Sequence, residues 1–409
     1  MNHPRPFRRT VLYIPGFDPF PPRRYRELYR REAARQATIS GHEILVTRGD
    51  GSTATGWQVT AKVAGASCQT RFDVLVWSDI VRDHMGQGIG ASYVQMVRTA
   101  WIYLTTGALW RLCRLRKGPV IAALYPVVVL LVQAFVALVC AGAVWASLVP
   151  LLGWGMALGL AGVAAAAVLH MGRRLDRRLY AYYLIHDYAY TARHHGAYGP
   201  ALTARIAKFA DQIATAIQPV SNVNTPDAGP PDEVLVIGHS SGAHLAVSAL
   251  AQVQTQAAEQ GGRAPAVSLL TLGHVVPMVT ALPHAKDLRA DLAMMAQRTD
   301  ITWVDVTAPG DGCCFALCDP VAVSGVGRSN QRGPLVISAR FSDTLGAEQR
   351  RALKWRFFRL HFQYLCAFDQ VADYDYFAIT AGAQTLQSRY AGRAPSPSRI
   401  THPSVTGRV

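Results

Sequence analysis

No aspartate, glutamate, lysine or arginine occurs between Lys117 and Arg173, and this gap limits what the chain can be more than any other feature. The stretch from Gly118 to Gly172 is 55 residues long. A helix needs roughly 20 apolar residues to cross the hydrocarbon of a bilayer, so two helices and a turn fit and one does not. The spacing predicts spans over about 119–142 and 148–170, with Pro150 and Gly153 close to the join. Two helices buried inside a soluble protein would keep a polar face. Here Gln133, Ser147 and His170 are nearly the only clearly polar side chains.

Both flanks are basic, with Arg111, Arg114, Arg116 and Lys117 before the block and Arg173, Arg174, Arg177 and Arg178 after it. By the positive-inside rule both ends face the cytoplasm, which places both termini and the rest of the chain on that side, as in a protein of the bacterial inner membrane. The first apolar run, Val11 to Ile14, is cut by Pro15-Gly16 and is too short for a signal peptide. Just ahead of the block, Val97 to Leu115 mixes Trp101, Tyr103 and Trp110 with arginines, which suits a helix lying in the membrane interface or one docked on a soluble domain.

Outside the block the composition is that of an ordinary globular protein. The net charge of +15 owes much to an arginine crowd near the start, from Arg8 and Arg9 to Arg30, Arg31 and Arg35. Such a balance favours an anionic surface. The sequence holds no nucleic-acid-binding motif, so a membrane is the expected partner and nucleic acid is not. Seven cysteines without regular spacing argue against a disulfide framework and fit a reducing compartment. Cys313, Cys314 and Cys318 lack a histidine at ligand spacing and read as loop packing.

Thr10 to Ile14 reads as a buried strand, Pro21 to Ala37 as a basic helix, and Glu43–Thr47, Gln58–Val63 and Phe72–Trp77 as further strands. Beyond the apolar block, helices are expected at Leu179–Arg193 and Ala201–Ile217, then a Pro/Asn/Asp loop at Asn222–Asp232. Strand and helix signals then alternate: Val234–Ile237, His244–Glu259, Ser268–Leu272, Asp287–Arg298, Ile301–Val306, Leu335–Ala339 and a long helix at Glu348–Ala367. The implied fold class is α/β, with a mainly parallel sheet flanked by helices and an inserted two-helix transmembrane hairpin. One domain, split in sequence into 1–96 and 179–387, is interrupted by an interfacial helix and hairpin at 97–178. It is followed by a Pro/Ser/Arg/Gly-rich tail at 388–409 that is expected to be disordered.

The chemistry concentrates at Gly238-His239-Ser240-Ser241-Gly242. G-x-S-x-G alone is a weak motif, but here it follows the strand run Val234–Ile237 and precedes a helix start, the setting of a nucleophile elbow. The reason is steric. A strand and helix that approach so closely tolerate little besides glycine at Gly238 and Gly242, and the central hydroxyl is left standing above the sheet.

On these residues the chain resembles the α/β-hydrolases, serine hydrolases of the lipase and esterase kind. The resemblance implies that Ser240 is the nucleophile and that the Ser241 N–H is one oxyanion donor. It implies a second donor from a loop after an early strand, here the Phe17 N–H in Tyr13-Ile-Pro15-Gly16-Phe17-Asp18. The family order of serine, acid, histidine implies Asp311 as the acid, with Asp305, Asp319 and Asp343 in reserve, and His361 as the base in preference to His402. His239 and His244, which flank the serine, are not expected to act as base. The implied reaction is hydrolysis of a carboxylic ester or thioester through an acyl-serine intermediate, with no metal or organic cofactor. The membrane setting favours a lipid-like acyl substrate. A peptide or amide hydrolase of the same fold, or a non-catalytic membrane scaffold, are the alternatives. Chain-length and head-group specificity and oligomeric state are not set by the sequence.

Overall fold

A computed structural model describes residues 5–49, 55–218, 230–259 and 267–405. Eight strands form one mixed sheet: β1 Phe7–Ile14, β2 Glu43–Arg48, β3 Trp57–Val63, β4 Ala66–Val74, β5 Glu233–His239, β6 Val267–Leu272, β7 Ile301–Thr307 and β8 Leu335–Ser338. The order is β2-β3-β4-β1-β5-β6-β7-β8. From β4 to β8 every neighbouring pair is parallel, while β2–β3 and β3–β4 are antiparallel. Sequence and environment agree. β5 and β6 are apolar runs buried at every position, as parallel strands covered on both faces must be. β3 alternates buried and less buried residues, as an antiparallel strand with one wetter face does.

Helices cover both faces. On one, Val11, Tyr13, Leu235 and Ile237 pack with Tyr25 and Tyr29 of α1 (Arg23–Ser40) and with Tyr364 and Phe377. On the other, Leu12, Ile14, Val234 and Val236 face helices that follow the apolar block. The intervening helices are α2 (Ser78–Met85), α3 (Ile89–Thr105), α4 (Ala108–Cys113), α5 (Lys117–Leu152), α6 (Trp154–Leu179), α7 (Ala181–Ala192), α8 (Pro200–Ile217) and α9 (Gly242–Glu259). The chain runs from β1 toward β4 on one side and restarts at β5 on the other. The carboxyl ends of β1 and β5 therefore meet at a switch in winding direction, where open α/β sheets leave a crevice.

The apolar block forms two antiparallel helices, each long and apolar enough to cross a membrane. The turn falls at Gly153, whose φ of 74° suits glycine, so the join lies later than the sequence indicated and Pro150 sits inside α5. The first half of α5 is docked on the body: Tyr93 donates to the Leu130 carbonyl, and Gln133 bridges the Leu169 carbonyl of α6 and the Tyr182 hydroxyl of α7. Among the described residues, no hydrogen bond ties α5 to the body beyond Gln133. Phe135, Leu138 and Leu151 are open at 66%, 71% and 77% exposure.

Three expectations need correction. Val97–Leu115 is not one helix, because Gly107 at φ 71° breaks it into α3 and α4, and α3 begins eight residues earlier at Ile89. One face packs through Ile102, Tyr103 and Leu112, and the other shows Val97, Trp101 and Trp110. The long helix at Glu348–Ala367 is three short pieces, α13 (Ala347–Leu353), α14 (Phe357–His361) and a 3-10 turn at Gln363–Leu365. These follow α10 (Val276–Thr280), α11 (Lys286–Met295) and α12 (Phe341–Thr344). No glycine or proline marks the break. Trp355 adopts φ 65°, and tertiary packing of His361, Tyr364 and Leu365 overrides helix propensity. The tail is ordered to Val405: Ser396 donates to the Val336 carbonyl, Ile400 to Leu317, and Ser404 to Val323. Backbone pairing with the sheet edge and its neighbouring loop outweighs its loop-like composition. Residues 406–409 and most of the expected 222–232 loop lie outside the described residues.

Candidate active site

Ser240 stands at the end of β5 with φ 57°, a left-handed conformation uncommon outside glycine. Its N–H donates to the Leu272 carbonyl and its own carbonyl accepts from Ala243, which fixes the turn between β5 and α9. The flanking glycines have no room for a side chain. A Cβ on Gly238 would come within 2.5 Å of the Gly242 carbonyl oxygen, and one on Gly242 within 2.1 Å of the Ile14 carbonyl oxygen. This locates the motif in the setting that its sequence implied, a strand, a tight turn and a helix.

The loop after β1 lies against this turn. A Cβ on Gly16 would meet the Ser240 Cβ at 2.9 Å and its Oγ at 3.3 Å. Trp77 Nε1 donates to the Pro15 carbonyl and the Tyr183 hydroxyl to the Phe17 carbonyl. Asp18 accepts from the Tyr25 hydroxyl and from the Phe20 N–H. Carbonyls held in this way fix the peptide planes between them. Among the described residues, neither the Phe17 nor the Ser241 N–H has a protein acceptor.

Asp311 and His361 meet: Nδ1 of His361 is 2.7 Å from Oδ2 of Asp311. The same oxygen accepts from the Tyr364 hydroxyl at 3.1 Å, and the other accepts from the Cys313 N–H at 2.9 Å. Burial works to raise the Asp311 carboxyl, but His361 and these donors outweigh it and hold the group below the usual carboxylate range. Nε2 of His361 is buried and has no partner. It and Ser240 line one cavity of about 50 Å³, together with Phe17, Asp187 and Met278. Among the described residues, no hydrogen bond joins Ser240 Oγ to Nε2 of His361.

The reserve acids are engaged elsewhere. Asp305 is fully buried within β7 and accepts from Thr271, Asp319 accepts from the N–H groups of Val321 and Ala322, and Asp343 pairs with Arg340 at the surface. His402 is exposed, with its ring against the Arg114 carbonyl. His244 bonds to Tyr198.

Sequence reasoning missed four contributors. His239 Nε2 donates to the His361 carbonyl at 2.9 Å, so the residue before Ser240 holds the backbone of His361. Burial drives its own imidazole down to about 3, and it stays neutral. Tyr364 grips Asp311, Tyr183 grips the β1 loop, and Asp187 of α7 adds a second carboxyl to the cavity, pushed up to about 7 by burial. The Leu360-His361-Phe362-Gln363-Tyr364 sequence offered the one available signal, a polar pair three apart at the end of a helix. Asp311, Cys313 and His361 place one potential metal-ligand atom each within 4.8 Å. Burial holds the Cys313 thiol well above its ordinary value, and Asp311 and His361 already bond to each other.

Comparison with protein-family models, with curated proteins and with solved structures finds no match to this chain.

Proposed function

We propose that this protein is a membrane-anchored serine hydrolase of α/β-hydrolase type that cleaves carboxylic esters or thioesters. The observation that carries the reading is the 2.7 Å Asp311–His361 pair, whose free Nε2 opens on the same cavity as Ser240 on its strained turn. Nε2 takes the Ser240 proton as Oγ attacks the acyl carbon. The oxyanion that forms is received by the unclaimed Phe17 and Ser241 amides at the positive end of α9. Collapse expels the alcohol or thiol, which leaves with the proton held on Nε2. Water then repeats the sequence on the acyl-serine, releasing the acid and restoring Ser240. Asp311 holds the imidazole in the Nδ1–H tautomer and supports its charge. Nucleophile, base, acid and oxyanion donors in this reading are all residues of the chain, and water is the second reactant.

The anchoring half of the reading rests on exposure. The distal halves of α5 and α6 show apolar side chains on all sides, an arrangement stable in hydrocarbon and not in water. By the positive-inside rule the basic flanks support a cytoplasmic position for the hydrolase body. The missing Oγ–Nε2 bond is the one observation that favours a non-catalytic scaffold.

Fluorophosphonate labelling in isolated membranes, wild type beside Ser240→Ala, decides between them. Labelling of wild type alone is the expected result. Equal labelling of both would mean the nucleophile lies elsewhere, and no labelling of folded wild type would support the scaffold.

A further inference from the structure

Beside the catalytic cavity lies a much larger groove, about 1530 Å³, between α1, the end of α6 and the α13–α14 segment. The two share walls: Asp18, Tyr183, Phe358 and Phe362 line both. Arginines from three separate parts of the chain converge on the groove, Arg24 from α1, Arg173, Arg174 and Arg177 from α6, and Arg359 from α14. Arg24 is held at the junction, its guanidinium stacked 3.7 Å from the Phe20 centroid and 5.7 Å from that of Phe362.

The carboxylates lining the groove are already engaged. Asp18 accepts from Tyr25 and Phe20, Asp176 from the amides of Tyr182 and Tyr183, and Glu27 and Glu32 pair with Arg30 and Arg31. Among the described residues, Arg24, Arg174, Arg177 and Arg359 make no ion pair. Asp18 still acts on Arg24 and Asp176 on Arg173 through space, but seven arginines line the groove against four carboxylates, which leaves it positively charged next to the cavity that holds Ser240. Guanidinium forks match phosphate geometry.

From this convergence, and resting on the serine-hydrolase reading above, we infer that the groove receives the phosphate of an anionic phospholipid from the bilayer and presents its acyl ester to Ser240. The bilayer is the source because Arg173, Arg174 and Arg177 begin immediately after the charge-free block, which on the hairpin reading places them at headgroup depth. The ester carbonyl reaches Ser240 past Phe358 and Phe362. The acyl chain passes to Oγ, and the lyso-phospholipid alcohol leaves with the proton from His361.

The test uses the full chain in vesicles of ether-linked phosphatidylcholine, which offers no ester. Fatty-acid release is compared for guest phosphatidylglycerol and for diacylglycerol with the same acyl chains. Wild type favours phosphatidylglycerol, and Arg24→Gln/Arg177→Gln lowers the ratio of the two rates by roughly thirtyfold, about fivefold for each arginine. The ratio is insensitive to how much of a variant folds. Arg328→Gln/Arg332→Gln, at exposed positions outside the groove, keeps the wild-type ratio. Equal rates on the two lipids in wild type, or an unchanged ratio in the groove variant, overturns the inference. So does equally fast cleavage of a short-chain acyl glycerophosphate in free solution, which would take the bilayer out of the recognition. Wild-type labelling by fluorophosphonate is scored separately. Its absence removes the hydrolase reading itself, whereas its presence with equal lipid rates removes the headgroup inference alone.

Discussion

The β5–α9 unit and the distal half of the hairpin are both built from runs of valine, leucine and alanine. In the first, Leu235, Val236, Ile237, Leu245 and Val247 are wholly buried; in the second, Phe135, Leu138 and Leu151 stand open at 66%, 71% and 77% exposure. Burial of such side chains is worth roughly 1.5–3 kcal/mol each, a stabilisation that the body secures and that the open side chains of the hairpin would forgo in water. At the carboxyl end of the sheet the body also holds a connected set of buried polar groups, Asp311, His361, His239 and Tyr364. The distal hairpin has no such set. A polar change should therefore act on chemistry in the body and on residence in the hairpin.

The largest effect belongs to the body. Asp311→Asn keeps the shape of the pair but favours the wrong imidazole tautomer, and turnover of an activated ester should fall by about 10⁴. A fall of less than tenfold in folded protein would move the acid elsewhere and dissolve the contrast.

The next compares one substitution in both regions. Leu45 on β2 is 62% exposed and Leu138 on α5 is 71% exposed. Leu45→Arg should change stability by no more than about 0.5 kcal/mol, because water already surrounds the site. Leu138→Arg should disfavour insertion by about 2.5–3.5 kcal/mol, on the order of a hundredfold, read as protein released from membranes by alkaline carbonate. If both variants fractionate like wild type, hydrocarbon is not what covers the hairpin.

A smaller effect probes the connected set. Tyr364→Phe removes one donor to Asp311 and leaves the Ala308 N–H, which donates to that hydroxyl at 2.9 Å, without its partner. Loss of kcat by roughly tenfold with KM little changed is expected. An equal loss through KM alone would give Tyr364 a role in substrate binding rather than in holding the acid.

The same contrast explains what could be read from the sequence. The apolar helix pair announced itself because hydropathy does not depend on tertiary structure; its turn falls at Gly153, one of two residues expected close to the join, while α5 runs to Leu152, past the expected end of the first span near 142. The mainly parallel sheet followed from alternating signals, and the elbow from glycines that steric contact with Gly242, Ala243 and Ile14 requires. Asp311 and His361 lie 50 residues apart and were singled out by a resemblance; their meeting depends on the turn at Trp355, which no local signal marks. His239 is not expected on the sequence to act as base. Its bond to the His361 carbonyl was invisible because a backbone partner leaves no trace in residue type. The ordered tail was hidden in the same way, its composition pointing one way and its backbone pairing the other.

Asp187 gives the smallest and most diagnostic effect. It lines the cavity with Ser240 and His361, with Tyr183, Tyr188 and Cys313 also near, and among the described residues it takes no hydrogen bond. Burial raises it from 3.8 to about 7, with the charge on His361 opposing the rise. Below pH 3.8 the carboxyl is protonated in the folded and the unfolded chain alike. Between pH 3.8 and about 7 the unfolded chain releases this proton while the folded chain keeps it, so stability falls with rising pH, and the full penalty stands above pH 7. Asp187→Asn cannot titrate and escapes that fall. In detergent, its melting temperature should exceed that of wild type by about 2–4 °C more at pH 8 than at pH 5. A gap independent of pH would mean that water reaches this carboxyl as freely as it reaches the surface. The cavity would then not be the dry pocket that sets the body apart from its solvent-facing side, and Asp187 would be an ordinary surface acid beside the nucleophile.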